Sequence, residues 1–140
     1  MELNIEKIRS FFMSDRFAMN AGIVIDAVES GSVTCSMPVT AAHLNAAGGV
    51  QGGAIFTLAD FTFGVHANLE CASGEETGMT VGQSCAISFL KLAKGKKLIA
   101  TSTCLSKGRH ISVYRISVTD DLGNFIAEMH GNGFTIHKKV

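Results

Sequence analysis

The sequence predicts an α+β fold in which one curved antiparallel β-sheet wraps around a long buried α-helix. Three observations support this prediction. A segment of about 15 residues beginning near Gly53 is apolar on almost every side, which is typical of a helix buried all round. Four strand-like segments follow it, separated by short polar turns. A β-hairpin pattern precedes it and can join the same sheet.

The first third of the chain is predicted to form a short helix and then the hairpin. Apolar side chains recur at helical spacing in residues 4–12, and Asn4 is suited to the N-cap position. An apolar run at residues 23–25 precedes a turn candidate at Ser30 and Gly31, and from residue 33 to residue 39 apolar and small residues alternate. A stretch rich in alanine and glycine then leads into the buried helix.

The second half of the chain is predicted to form strands at residues 80–90, 97–105, 111–119 and 124–136. Because sequential strands joined by short turns pair as neighbours, they should form an antiparallel meander. No linker, repeat or low-complexity tract interrupts the pattern. We therefore expect a single domain over residues 1–140, a length that can bury one core without disulfides or metal.

Composition limits the possible partners. Lys plus Arg and Asp plus Glu both number 12, so the net charge is zero and no broad attraction to nucleic acid or to anionic membrane is expected. The charged N-terminus does not resemble a signal peptide, and no apolar run reaches the roughly 18 residues of a membrane span, so a cytoplasmic protein is expected. The cysteines and histidines lack metal-ligand spacing, and neither a metal nor a cofactor is expected.

One motif spans the approach to the buried helix and the helix itself. HLN at residues 43–45, followed by QGGAIFTLAD at residues 51–60, resembles the H-x-N, H-G-G and L-A-D signature of the phenylacetic-acid-degradation branch of hotdog thioesterases. ISFLKLAKG at residues 87–95 is also similar to a segment of that family, and the order of elements matches it over nearly the whole chain. Gln51 stands where the family has the H-G-G histidine.

The resemblance implies a hotdog fold and an acyl-CoA hydrolase without a cofactor. It also implies a homodimer, or a tetramer built from two dimers, with active sites at the dimer interface. The architecture is shared by hotdog proteins of several activities. Two alternatives therefore stay open: a non-catalytic acyl-CoA-binding protein, and an enoyl-CoA hydratase or dehydratase. The second typically needs a histidine at the position of Gln51.

Two features of the buried helix suit thioester hydrolysis. The amides of Gly52 and Gly53 lie at its start, where backbone N–H groups lack helical partners and glycine allows a carbonyl to approach. Asp60 is the only ionisable residue between Gly52 and Val65, so it is a candidate base or nucleophile with a raised pKa. Gly53 and Asp60 are seven residues apart, hence on one face but separated by about 10 Å. A dimer with antiparallel helices would bring them together across subunits.

Residues around the helix start are secondary candidates. Gln51 can donate a hydrogen bond to the thioester carbonyl but cannot transfer protons near neutral pH. Asn45 matches the family's asparagine and either assists catalysis or forms an Asx turn in the loop. His43 is expected to have a structural role in that loop.

A charged turn and one strand provide the remaining candidates. Lys107, Gly108 and Arg109 combine two cations with a glycine, which suits the phosphates of CoA, and the family has CoA contacts in this connection; an ordinary soluble turn is the alternative. Thr80 and Ser84 are expected to border the acyl pocket, as residues of that strand do in related hotdog proteins.

Overall fold

The computed structural model describes residues 2–75 and 78–138. The helices are α1 (Ile5–Phe12), α2 (Arg16–Ala21), α3 (Gly52–Ala67) and α4 (Leu69–Ala72), with a 3₁₀ turn at Ala41–His43. The strands are β1 (Val24–Glu29), β2 (Ser32–Pro38), β3 (Met79–Phe89), β4 (Lys97–Lys107), β5 (Ile111–Asp120) and β6 (Phe125–Ile136). All predicted helices and strands are present, with α2 and α4 in addition. Within the described residues, no helix combines the length and apolarity needed to cross a membrane.

The N-terminal helices pack on α3 and are closed by local caps. The Asn4 side chain accepts a hydrogen bond from the Lys7 amide at 3.2 Å, as the sequence predicted. The aromatic ring of Phe12 meets that of Phe61 in α3 edge to face, with centroids 5.6 Å apart. The six-residue helix α2 is less than two turns long, which is too short to produce a clear helical period in the sequence.

The sheet has six strands in the order β1-β2-β4-β5-β6-β3, and all neighbouring strands are antiparallel. The predicted meander is correct for β4, β5 and β6 but wrong for β3, which pairs with β6 at the far edge. The reason is α3, which crosses the sheet face in contact with β2, β4, β5, β6 and β3 and so delivers the chain to the opposite edge. Residues 90–96 then carry the chain from β3 back to β4 across three strand spacings, roughly 14 Å. Seven extended residues can span this distance.

Two glycines of β6 allow α3 to approach the sheet closely. A Cβ atom on Gly131 would lie 3.3 Å from the ring of Phe63, and one on Gly133 would lie 3.3 Å from its Cζ atom. Phe63 is buried and its ring also packs against Tyr114 of β5, with centroids 5.4 Å apart. At these two glycines, α3 therefore packs directly against the backbone of β6.

Gly133→Ala is expected to destabilise the fold. The added Cβ would lie 2.5 Å from the Cγ2 atom of Thr80, and both that side chain and Phe63 would have to move. Overpacking of this kind costs about 1–3 kcal/mol, so the midpoint of urea unfolding should fall. Gly31→Ala is the control, because a Cβ there meets no atom within 4 Å. Equal midpoints for the two variants would contradict the prediction.

Candidate active site

His43 anchors the loop that leads into α3. It is buried, its Nδ1 atom accepts the backbone N–H of Thr40 at 3.0 Å, and its Nε2 atom donates to the Ala21 carbonyl at 2.8 Å. The His43 carbonyl in turn accepts the Gln51 amide at 2.8 Å. With both ring nitrogens engaged, His43 ties the loop to the end of α2, in agreement with the structural role expected from the sequence.

Asn45 shapes the same loop. The Oδ1 atom of Asn45 accepts the backbone N–H groups of Ala47 and Gly49, both at 3.0 Å. The backbone N–H of Asn45 donates to the Gly49 carbonyl at 2.7 Å. This is the Asx-turn arrangement that the sequence left as one of two possibilities. The Nδ2 atom of Asn45 has no hydrogen-bond partner among the described residues, so the side chain retains two N–H groups for a further ligand.

At the start of α3, one backbone amide remains open. Gln51 is the N-cap, and its Oε1 atom accepts the Gly52 amide at 3.0 Å. The amides of Ala54 and Ile55 bond to the Gln51 carbonyl at 2.9 and 3.2 Å. The exposed Gly53 amide has no partner in the described part of the chain, and the same is true of the Gln51 Nε2 atom. Gly53 and Gln51 therefore present the free donors, whereas the Gly52 amide is already capped.

Asp60 lies on α3 with its side chain exposed on the single chain. The sequence predicted a helix buried all round, and this detail is corrected: the sheet covers one side of α3, and the face that carries Asp60 is exposed. Partial desolvation by neighbouring protein atoms, helped by the negative charge of Asp15, still raises the pKa of the Asp60 carboxyl above its ordinary value. No described residue forms a hydrogen bond or salt bridge with this carboxylate.

The edge strand β3 runs beside this exposed face of α3. The β6 partners of Cys85, Ile87 and Phe89 are Gly131, Met129 and Ala127, which are buried. Because directly paired residues share a face of the sheet, these three β3 side chains are on the helix side. Cys85 is exposed, but partial desolvation by neighbouring protein atoms raises the pKa of its thiol, and the nearby Asp60 carboxylate raises it further.

A small apolar cavity lies at the start of α3. Its volume is about 340 Å³, and it is lined by Val50, Gly52, Ile55, Phe89, Leu90, Lys91, Leu92 and Ala93. The Phe89 ring covers Gly52 so closely that a Cβ atom there would lie 3.2 Å from the ring. Phe89 thus contacts both this cavity and the start of α3.

The remaining sequence-predicted residues lie elsewhere. Lys107, Gly108, Arg109 and Thr80 line a second cavity of about 620 Å³ at the C-terminal end of α3. α3 has 16 residues, so this end is about 24 Å from Gly52. The Thr80 hydroxyl bonds to that of Thr135 at 2.8 Å. Ser84 pairs with Asn132, on the sheet face turned away from α3, so it is not placed to border a pocket beside Asp60.

Three polar residues of this second cavity were missed from the sequence. His66 is buried and its Nδ1 atom is 2.9 Å from the Ser102 hydroxyl, and desolvation lowers its pKa. Glu70 lies on α4 and forms an ion pair with Lys107 at 3.5 Å. Tyr114 is buried in the wall, and desolvation is the main cause that raises its pKa to about 12. His66 is the second ionisable residue of an otherwise apolar helix, so of the three it was the easiest to identify from the sequence.

In residues 2–75 and 78–138, no cluster of three or more His, Cys, Asp or Glu side chains could hold a metal.

Comparison with known proteins decides the family. The model of the thioesterase superfamily matches residues 47–127, which include the start of α3, Asp60 and β3. The chain belongs to the thioesterase superfamily. It is a thioester hydrolase, and the sequence-based resemblance to PaaI-like hotdog thioesterases is confirmed.

Individual relatives support this thioesterase assignment. The acyl-coenzyme A thioesterase PaaI of Escherichia coli (strain K12) is 27% identical over 132 residues, covering 94% of this chain and 90% of the relative. The solved structure of E. coli PaaI, from the phenylacetic acid degradation operon, has a TM-score of 0.80 at 26% identity and 94% coverage of both chains. A protein of Streptococcus mutans bound to acetyl CoA has a TM-score of 0.73 at 26% identity, covering 84% of this chain and 91% of that chain. The predicted hotdog fold is confirmed.

Proposed function

We propose that this thioesterase hydrolyses acyl-CoA thioesters to the free acid and CoA, at composite sites of a homodimer. The observation that carries the proposal is the pair of groups on the exposed face of α3. The Gly53 amide is an open donor at the helix start, and Asp60 is a carboxyl group with a raised pKa two turns later. Similarity to E. coli PaaI and to the acetyl-CoA-bound S. mutans protein supports CoA thioesters as the substrate class.

The proposed reaction uses Asp60 in one of two roles. As a general base, its carboxylate accepts a proton from water while the water oxygen attacks the thioester carbonyl. As a nucleophile, it attacks the carbonyl directly and forms an anhydride that water then hydrolyses. In both cases the C–S bond breaks and the CoA thiolate leaves. On the general-base route the thiolate takes a proton from the protonated Asp60 carboxyl or from solvent, and on the nucleophile route it takes one from solvent. Single-turnover hydrolysis in ¹⁸O-labelled water tests for the anhydride route, because an unlabelled Asp60 oxygen reaches the acid product only if an anhydride forms and water attacks its Asp60 carbonyl carbon.

The oxyanion that forms during attack requires donors in fixed positions. The Gly53 amide sits at the positive end of the α3 dipole, and the free Nε2 atom of Gln51 lies one residue before the helix. The capping bond from the Gly52 amide to the Gln51 Oε1 atom holds this side chain at the helix start and leaves its N–H groups unengaged. Gln51 therefore serves as a fixed donor and leaves the proton transfers to Asp60. The unengaged Nδ2 atom of Asn45 can hold the attacking water.

A second copy of the chain is needed to complete the site. Gly53 and Asp60 of one chain are about 10 Å apart along α3, too far to contact one thioester group. The edge strand β3 has 11 residues that are almost all exposed, including Met79, Val81 and Phe89. Pairing two β3 edges antiparallel about a twofold axis would cover this edge and set the two α3 helices antiparallel. Gly53 of one subunit then faces Asp60 of its partner, and two such dimers can form the homotetramer implied by the resemblance.

The second cavity, at the C-terminal end of α3, is proposed to bind the nucleotide half of CoA. Lys107 and Arg109 offer two cations at its rim, on either side of the exposed Gly108. The cavity lies at the C-terminal end of α3, one or two turns beyond Asp60, a distance that the flexible pantetheine arm can bridge. In this arrangement, the apolar cavity beside Phe89 of the partner subunit is the site for the acyl group.

The test of the proposed function is an acyl-CoA panel, from short-chain to aryl thioesters, with CoA release followed by a thiol reagent. We expect turnover of at least part of the panel and a dimer or a larger even assembly by light scattering. Binding of acyl-CoA without release of CoA, across the whole panel, would reject hydrolysis. Loss of enoyl-CoA absorbance by hydration would favour a hydratase instead.

The pH dependence of the reaction follows from Asp60 and Gln51. Asp60 must be ionised in either role, so kcat/KM should rise with pH through its pKa. Because that pKa is raised, this acid limb should lie above the ordinary carboxyl value of 3.8. Gln51 does not titrate, so no second ionisation is expected from this position. Gln51→His should add one, near the ordinary histidine value of about 6.5. A wild-type acid limb below 4 would contradict the role of Asp60.

A further inference from the structure

We propose that Glu70 is a specificity-determining residue that competes with the CoA phosphates for Lys107 and thereby weakens binding of the nucleotide half of the substrate. This proposal rests on the proposed function, because it takes the second cavity, at the C-terminal end of α3, as the CoA site. It concerns a residue outside the motif that spans residues 43–60. It predicts an effect on substrate affinity and not on the chemical step.

The geometry brings one anion and one cation to the same cavity. Glu70 lies in the first turn of α4, directly after the C-terminal end of α3, and Lys107 is the last residue of β4. The Glu70 Oε1 atom is 3.5 Å from the Lys107 Nζ atom, and both residues line the cavity together with Arg109. Their side chains are 42% and 60% exposed, so a ligand can reach both.

Both charges act on groups in the cavity wall. Desolvation and Cys104 are the main causes that raise the pKa of the buried Tyr114 to about 12, and the negative charge of Glu70 adds to them. Desolvation is the main cause that lowers the pKa of the buried His66, and the positive charge of Lys107 adds to it. The Glu70 carboxylate and the Lys107 ammonium therefore face the same space, in which a phosphate would have to bind.

The charges around the cavity make displacement of Glu70 favourable. Its cationic lining residues are Lys107, Arg109 and Lys138, and Glu70 is the one acidic residue among the lining residues that the structure describes. A half-exposed ion pair is weak, and a phosphate carries more negative charge than a carboxylate. A CoA phosphate can therefore replace Glu70 as the partner of Lys107. The displaced carboxylate stays nearby and repels the phosphate, which lowers affinity relative to a neutral side chain.

The experiment compares two substrates with the same acyl group, acyl-CoA and acyl-pantetheine, which lacks the nucleotide and its phosphates. Glu70→Gln should lower KM for acyl-CoA about threefold at low ionic strength, with less effect in high salt. KM for acyl-pantetheine should stay at the wild-type value. Glu128→Gln is the matched control, since it removes an acid from a comparable half-exposed pair with Arg115, at 3.9 Å, away from the cavity.

A double variant tests whether Glu70 acts through Lys107. Lys107→Met should raise KM for acyl-CoA, and adding Glu70→Gln to it should lower KM by less than in the wild-type background. An unchanged or higher KM for acyl-CoA in Glu70→Gln would overturn the proposal, and so would an equal change for both substrates.

Direct binding separates this proposal from the proposed function. Calorimetric titration with free CoA and with pantetheine needs no turnover. If no acyl-CoA is hydrolysed but Glu70→Gln still tightens CoA binding and leaves pantetheine binding unchanged, the proposed function fails and the role of Glu70 stands. If acyl-CoA is hydrolysed but Glu70→Gln binds CoA no more tightly than the wild type, the role of Glu70 is rejected alone.

Discussion

Asp60→Asn should lower kcat for acyl-CoA hydrolysis by about 10³-fold, within the range expected for loss of a positioned base or nucleophile. Asparagine has nearly the same shape as aspartate but can neither accept a proton nor attack a thioester. The substitution removes no hydrogen bond or ion pair found among the described residues, since the Asp60 carboxylate has none. The measurement is CoA release under saturating acyl-CoA.

The same variant should remain folded. A raised pKa in the native state means that the native environment disfavours the ionised carboxylate, so Asp60 lowers stability increasingly as pH rises through its folded pKa. Asparagine carries no charge, and the variant should unfold at the wild-type temperature or slightly above it at neutral pH. Asp26→Asn, another exposed aspartate, is the control and should keep wild-type turnover. Wild-type turnover in Asp60→Asn would remove Asp60 from the mechanism.

Mixing two inactive variants should restore activity if the site is shared between subunits. Gly53→Val crowds the open amide, and its Cβ fits the fold because the nearest atom, Cγ of Gln51, is 3.9 Å away. In a dimer of Asp60→Asn with Gly53→Val, one site carries both changes and the other carries neither. Random subunit exchange makes half of the dimers mixed, so about a quarter of wild-type activity should return.

The controls for this experiment are the separate variants, each put through the same dissociation and reassociation. Each should remain inactive by itself. Mixed dimers can be identified by a mass tag on one variant. If mixed dimers form and no activity returns, both groups act within one chain, and the antiparallel arrangement of α3 helices is wrong.

Local sequence patterns were sufficient to predict most of the fold. The apolar segment around Leu58 and Phe63 predicted a buried helix, and its bounds differ from the observed ones by about one residue. The position of β3 was not predictable in this way, because its pairing with β6 depends on where α3 delivers the chain. Neighbouring strands in sequence are the usual partners, and here the buried helix overrides that tendency.

The sequence was sufficient to predict which residues form the candidate site, but not how they are exposed and hydrogen-bonded. Gly53, Gln51 and Asp60 follow from the motif and from the chemistry of helix starts, yet the exposure of Asp60 depends on which face of α3 the sheet leaves open. The Gln51 side chain caps the Gly52 amide only in a suitable rotamer, and the sequence does not indicate which rotamer the side chain adopts. Glu70 was missed because its partner Lys107 is 37 residues away and meets it only in the folded chain.

The far-edge position of β3 also sets a constraint on how the protein folds. Its pairs with β6 join residues 38 to 57 positions apart, from Phe89 with Ala127 to Met79 with Ile136. During synthesis, β3 must wait for β6 to leave the ribosome before it has this strand as a partner. Such long-range closure slows folding and leaves an apolar edge open to other nascent chains. The strand proposed to join two finished subunits is therefore also the one most exposed to premature association.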